Sequence, residues 1–366
     1  MNARRKIRSR LFSWLLVAAG LPGTLASAQD FLLAEGTSDG GISPLPSQVP
    51  LNLGTFDIVI NAGSGLSSNT AALAAFNRAA LQWEAYISDS ITVTIAADLG
   101  SLGSGIIGST SSLILQGGYN TIRNQVVSDA ANESDDLVAS FLPTAAQFSA
   151  TLLSGSTLSG NLVGTKANLK ALGFTGLDTS FGATDSTITF SNTFAFDFDN
   201  SDGVGAGLLD FETVAAHELG HALGFFSAVD SADGGATSIS PTVLDLFRFQ
   251  NGTASDPTTT SEFTLNARNL VPGNAVIFDD LDNEWLMSTG LTQGDGRQAS
   301  HWKDDALVSS NIGLMDPTLA SGVFFDVGAA DLRALDLIGY EIVPEVSALV
   351  FAALSGAFLL GRRVRG

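Results

Sequence analysis

The run His217-Glu218-Leu219-Gly220-His221 sets the tightest limit on how this 366-residue chain can fold. On a helix, positions i and i+4 share one face, so both imidazoles can reach one metal ion, with Glu218 beside it. Asp210 can cap such a helix, which would run from Phe211 to about Leu223. Gly224 supplies the stop, where positive φ is often needed. The chain has three histidines, and the third, His301, stands far downstream in Ser300-His301-Trp302. A catalytic zinc wants three protein ligands and one open position. With His301 as that third ligand, the fold would return a distant segment to one face of one helix.

A hydrophobic fraction of 45% provides for a sizeable core in one large domain or two ordinary ones. The 39 glycines and frequent Ser/Thr/Asn runs point to loops and short strands rather than a helical bundle. With no cysteine, disulfides, thiolate ligands and cysteine latches are excluded. The net charge is −20. Such a surface repels nucleic acid and anionic membranes, and it keeps an exported protein soluble. Part of this charge offers calcium ligands, so calcium joins zinc as a candidate metal.

Both ends read as addresses. Residues 2–10 are basic, Leu11 to Leu25 mostly apolar, and Ala26-Ser27-Ala28 gives an A-x-A pattern. Residues 1–28 are thus expected to be a signal peptide, with 29–50 a linker or short pro-segment. At the other end Val343-Pro344-Glu345-Val346 precedes an apolar stretch and Arg362-Arg363-Val364-Arg365. This 344–366 segment resembles the PEP-type sorting signal of Gram-negative bacteria, with Val346 in place of the usual second proline. The resemblance implies an exosortase-type protease as a partner, transient anchoring by a transmembrane helix, and release to the cell surface or extracellular matrix. A plain C-terminal membrane anchor is the alternative.

Between the ends, Phe56, Ile58 and Ile60 alternate as a strand, Ala71 to Ile87 reads as an amphipathic helix, and Ile91 to Ile95 as a strand. Residues 100–120 give no clear pattern. Helices are expected around 121–130, 134–141 and 165–172. Ile188, Phe190, Phe194, Phe196 and Phe198 all fall on even positions, which predicts a long half-buried strand. Order is expected near Val243 to Phe247, and a final helix from Ala329 to Ile338, stopped by Gly339.

Zinc lowers the pKa of a bound water to about 7. Glu218 can take that proton and hand it to a leaving amine. In the compact pattern HExxHxxGxxH a third histidine lies three residues past the glycine. Here that position is Ser227, a poor ligand. His301 is one source of the third ligand. Asp230 or Asp233 in the loop after the helix, and Glu262 or Glu284 downstream, are others. Calcium candidates are Asp197, Asp199 and Asp202, and the run Asp279, Asp280, Asp282 and Glu284.

HExxHxxGF, a long insertion, His301-Trp302 and then Leu314-Met315-Asp316-Pro317 together resemble the leishmanolysin branch of the metzincin zinc peptidases, over about residues 210–317. The resemblance implies His217, His221 and His301 as zinc ligands, Glu218 as general base, Gly224 as the turn, and Met315 in a methionine-containing turn beneath the metal. The cysteines behind that family's latency are missing here.

The expected fold is α+β and metzincin-like: a twisted mixed sheet backed by helices, with the active-site helix at the floor of a cleft. Residues 51–225 would form an N-terminal catalytic subdomain holding the sheet and two ligands. An insertion, 226–300, would decorate the second half. A smaller C-terminal subdomain, 301–343, would carry the third ligand and the Met-turn. Strand 187–198 is the candidate edge on which an extended peptide could pair. The expected function is a secreted or surface zinc endopeptidase acting on a protein or peptide substrate. The alternatives are a non-catalytic surface or matrix protein with a structural zinc site, and a zinc hydrolase of non-peptide bonds. Oligomeric state stays open.

Overall fold

The computed structural model of the chain describes residues 29–34, 56–133 and 136–343. The expected signal peptide and sorting signal lie outside them. Among the described residues no helix is long and apolar enough to cross a membrane.

Alternating apolar residues build the central sheet. Val93 and Ile95 of strand Thr92–Gly100, and Ile188 and Phe190 of strand Ser186–Ser191, are fully buried. Strands Asp57–Ala62, Thr92–Gly100 and Ser186–Ser191 run parallel in that order. Parallel neighbours need a crossover, and helix Thr70–Glu84 supplies it between the first two. Strand Ile106–Ser112 then pairs antiparallel with Ser186–Ser191. Gln29–Ala34 pairs antiparallel with Ile106–Ser112, and Thr318–Leu319 closes the sheet parallel to Gln29–Ala34. The architecture is mixed α+β around a mixed six-stranded sheet.

Several expectations are corrected here. The strand predicted over 187–198 ends at Ser191, and it is interior, paired on both sides. Its later aromatics leave the sheet: Phe196 and Phe198 pack on the ring of Phe211 at centroid distances of 5.2 and 5.1 Å. Their even spacing reflects a shared aromatic contact, not one continuous strand. The featureless 100–120 region contains the strand that borders the motif helix. Residues 29–34, expected in a linker, are a sheet strand. The 226–300 segment is no decoration. Leu244, Leu246, Phe247, Phe249 and Phe278 are buried in the same core as the sheet. Each such side chain stabilises the fold by about 1.5–3 kcal/mol. Other elements fall close to expectation: helices Tyr119–Asp129, Lys166–Ala171 and Ala329–Leu337, and a short 3₁₀ turn at Leu137–Phe141.

The acidity has a consequence for stability. Burial, helped by the charges of Asp89, Glu341 and Asp136, raises Asp129 to about 7. Burial, with Asp305 and Asp304 nearby, raises Asp316 to about 8. Both exceed the ordinary value of 3.8, so each of these carboxyls holds a proton in the folded chain that the unfolded chain has lost above about pH 4; the three buried histidines act in the opposite sense only below about pH 6.5. Stability should therefore fall as pH climbs toward 8. A melting temperature higher at pH 6.5 than at pH 8 is expected by circular dichroism, and a rise across that window would contradict it.

Candidate metal centre

Helix Phe211–Leu223 is buried along its whole length, and even its charged residues are partnered. The Asp210 carboxylate accepts the Thr213 N–H at 2.7 Å, as a cap should. Glu212 takes Arg78 Nε at 2.7 Å and Gln82 Nε2 at 2.9 Å. Trp83 Nε1 donates to the Ala216 carbonyl at 2.9 Å and locks the crossover helix Thr70–Glu84 to this one. Gly224 ends the helix with φ 124°, a conformation costly for any other residue.

The three histidines converge. His217 Nε2 lies 3.1 Å from His221 Nε2 and 3.2 Å from His301 Nε2, and the last two are 3.2 Å apart. Each Nδ1 faces a backbone carbonyl: Leu314 at 2.9 Å for His217, Phe225 at 2.7 Å for His221, Gln298 at 3.2 Å for His301. A carbonyl only accepts, so each Nδ1 carries the proton, and three Nε2 lone pairs point at one spot. Burial pushes the His217 imidazole down to about 4 and the other two well below the ordinary histidine value, where like charge from their neighbours lowers them further. The rings stay neutral at neutral pH, the form a metal ion needs. The trio could hold a metal ion.

The loop bearing His301 is held by Asp230. Its carboxylate accepts the N–H of Ala299 at 2.6 Å and of Ser300 at 3.0 Å, and also the Ser300 hydroxyl. Asp230 was one of the alternative third ligands; its oxygens are taken up by the loop that carries His301. Asp233 spends its oxygens on the N–H of Thr292 and Gln293, both at 2.7 Å. Glu262 caps its own helix, Thr260–Leu265, and Glu284 lies on another sheet. Ser227 donates its N–H to Ser300 Oγ and its hydroxyl to Asp245, so it too supports the loop.

Met315 is fully buried beneath the motif helix. A Cβ on Gly220 would sit 2.4 Å from Met315 Sδ, so the glycine between the two histidines makes room for this contact. Asp331, fully buried, ties the turn together. It accepts the N–H of Leu314 at 2.7 Å and of Met315 at 3.2 Å, and Trp302 Nε1 at 2.8 Å. Trp302 packs in the core, as expected, against Phe225, Phe278 and Trp285.

Glu218 is fully buried, with Oε2 2.6 Å from the Thr110 hydroxyl. A Cβ on Gly108 would come within 2.6 Å of Oε1. Strand Ile106–Ser112 therefore lies directly against the carboxylate. Thr110 and Asp331 were missed from sequence. Asp331, three residues past Gly328 at the start of the last helix, carried a legible capping signal: its carboxylate accepts the Gly328 N–H at 2.8 Å.

The calcium candidates are sorted by the same geometry. Asp197 accepts the N–H of Asp199 and Gly205, and Asp199 that of Ser201, so the loop bonds to itself. Asp280 pairs with Arg333 at 2.6 Å. Asp279 and Glu284 come together, joined by Asp256 rather than by Asp280 or Asp282.

Comparison with known proteins gave no match: no family model, no curated protein and no solved structure is similar to this chain.

Proposed function

We propose that the chain is an exported zinc-dependent endopeptidase of metzincin type, with His217, His221 and His301 as ligands and Glu218 as general base. The donor set fits the ion. Three nitrogens on a tetrahedral zinc with bonds of 2.0–2.1 Å are about 3.3–3.4 Å apart, close to the 3.1–3.2 Å separations here. A donor set made only of imidazoles suits zinc and not a hard cation. When bound, zinc supplies Lewis acidity, which acidifies water and polarises a carbonyl.

The chain's own groups supply the rest. Glu218 accepts a proton from the attacking water and delivers it to the leaving nitrogen. The Thr110 hydroxyl holds the carboxylate in place. Packing by Gly108 and Met315 fixes the helix, so the imidazoles need little reorganisation.

The observation that favours a peptide substrate is the strand pairing beside this centre. Gln29–Ala34 lies there as an extended strand, between Ile106–Ser112 and Thr318–Leu319. Leu32 stands opposite Gly108, the residue against Glu218, and the register shifts between Leu32 and Leu33. Pairing through backbone groups recognises an extended polypeptide as a class, whatever its side chains. On this reading the segment lies where a substrate strand would lie and competes with it. Deleting residues 29–34 is expected to lower the apparent KM about tenfold or more, since a tethered competitor acts at millimolar effective concentration. Equal kinetics with and without the segment, in variants of equal melting temperature, would count against this.

Complete burial of the three imidazoles favours a second reading, a closed structural zinc site in a non-catalytic surface protein. The deciding experiment is metal analysis of the purified protein combined with digestion of a broad peptide mixture, before and after deletion of 29–34. Bound zinc with no cleavage in either form supports the structural role.

A further inference from the structure

We propose that Asp256, Asp279 and Glu284 form a calcium site, separate from the histidine centre and independent of the peptidase reading. Asp279 and Glu284 are cross-strand partners on the antiparallel strands Val276–Asp279 and Glu284–Met287. Asp256 comes from the turn after the third strand of that sheet, Arg248–Gln250. There the Asp256 N–H donates to the Thr253 carbonyl at 3.0 Å, and Asp256 Oδ2 accepts the Gly252 N–H at 2.8 Å. One oxygen from each of the three carboxylates lies within 4.8 Å of the others.

Two of these carboxylates carry oxygens that the protein does not satisfy. Asp279 is 1% exposed, and its Oδ1 accepts the Leu281 N–H at 2.6 Å. Its Oδ2 is shut off from solvent with no hydrogen-bond partner, and so is Asp256 Oδ1. Burying an anionic oxygen beside other anions costs several kcal/mol unless a cation or donor meets it. Arg268, whose guanidinium feels the charge of Asp279, donates to the carbonyls of Leu246 and Asn266. Burial, with Glu284, Asp256 and Asp280 close by, raises Asp279 to about 7.

The other acidic trios differ. Arg333 sits between Asp136 and Asp336. Arg297 pairs with Asp304, while Asp316 accepts the N–H of Asp305 and Thr318. In the first trio an arginine therefore meets two of the three carboxylates, while Glu133 Oε1 is buried without a partner; in the second, Arg297 and backbone N–H groups meet Asp304 and Asp316. Oxygen-only donors at this spacing suit a hard cation with bonds of about 2.3–2.6 Å, which is calcium. Magnesium, with bonds near 2.0–2.1 Å and strict octahedral geometry, fits a looser trio poorly. The ion would fasten the Thr253 turn to the central sheet of the 226–300 segment.

The test uses the full chain in calcium-free buffer with one equivalent of zinc, which avoids stripping the histidine centre with a chelator. Calcium chloride at 10 mM is expected to raise the melting temperature by on the order of 5 °C, for a site of millimolar to submillimolar affinity. Asp279→Asn should abolish the calcium response while melting no lower than wild type without calcium, because a buried unpaired charge has been removed. Isothermal titration with calcium chloride should give one site in wild type and none in the variant. No calcium response in wild type, a full response in Asp279→Asn, or an equal response to magnesium would overturn the assignment.

Discussion

Glu218→Gln should abolish peptide cleavage while one metal ion per chain is retained. The side chain touches the Thr110 hydroxyl and the backbone at Gly108, so glutamine fills the same space and the helix is undisturbed. What is lost is a group that can accept a proton and pass it on, a role worth about 10²–10⁴-fold. Glu218→Ala should lose several orders of magnitude and also leave a cavity in a fully buried position. The comparison therefore needs melting curves and metal content beside the rates. A glutamine variant that cleaves at the wild-type rate would remove Glu218 from the mechanism and leave the histidine centre standing.

The second large effect concerns metal affinity. His301→Ala should empty the centre, because two imidazoles on one helix cannot enclose an ion. Asp230→Asn keeps its size but weakens three contacts that hold Ala299 and Ser300, just before His301. Loss of such a supporting partner typically costs about 10–100-fold in affinity. Ser227→Ala should keep the metal and destabilise the fold by about 1–3 kcal/mol, since the Asp245 carboxylate loses a buried donor. Competition with a zinc-binding dye gives the ranking, His301→Ala far weaker than Asp230→Asn, and Asp230→Asn weaker than Ser227→Ala. If Ser227→Ala emptied the site while His301→Ala did not, the ligand assignment would be wrong.

The motif helix was legible because its signals are local. The cap at Asp210, the i, i+4 histidines and the stop at Gly224 sit within fifteen residues and fall where expected. His301 was reachable by a different route: the chain has few histidines, and His301-Trp302 precedes Leu314-Met315. Thr110 was not reachable. Its strand lies in a stretch of glycine and serine whose order comes from pairing with Ser186–Ser191 and Gln29–Ala34. Asp230 stood among the alternative third ligands, and its oxygens meet the N–H groups of Ala299 and Ser300 and the Ser300 hydroxyl. A carboxylate near a metal helix reads the same whether it binds an ion or three backbone and hydroxyl donors.

Sequence by itself determined the helix that brings His217 and His221 to one face and the acid beside them, because these rest on residue chemistry and a 3.6-residue period. Only the tertiary structure decided which strand lies in the interior of the sheet, which segment pairs between Ile106–Ser112 and Thr318–Leu319, and which carboxylates gather around Asp279. Those outcomes depend on pairings between residues tens of positions apart. Their free energy comes from burial and hydrogen bonding in the assembled core, and no short window of sequence encodes it.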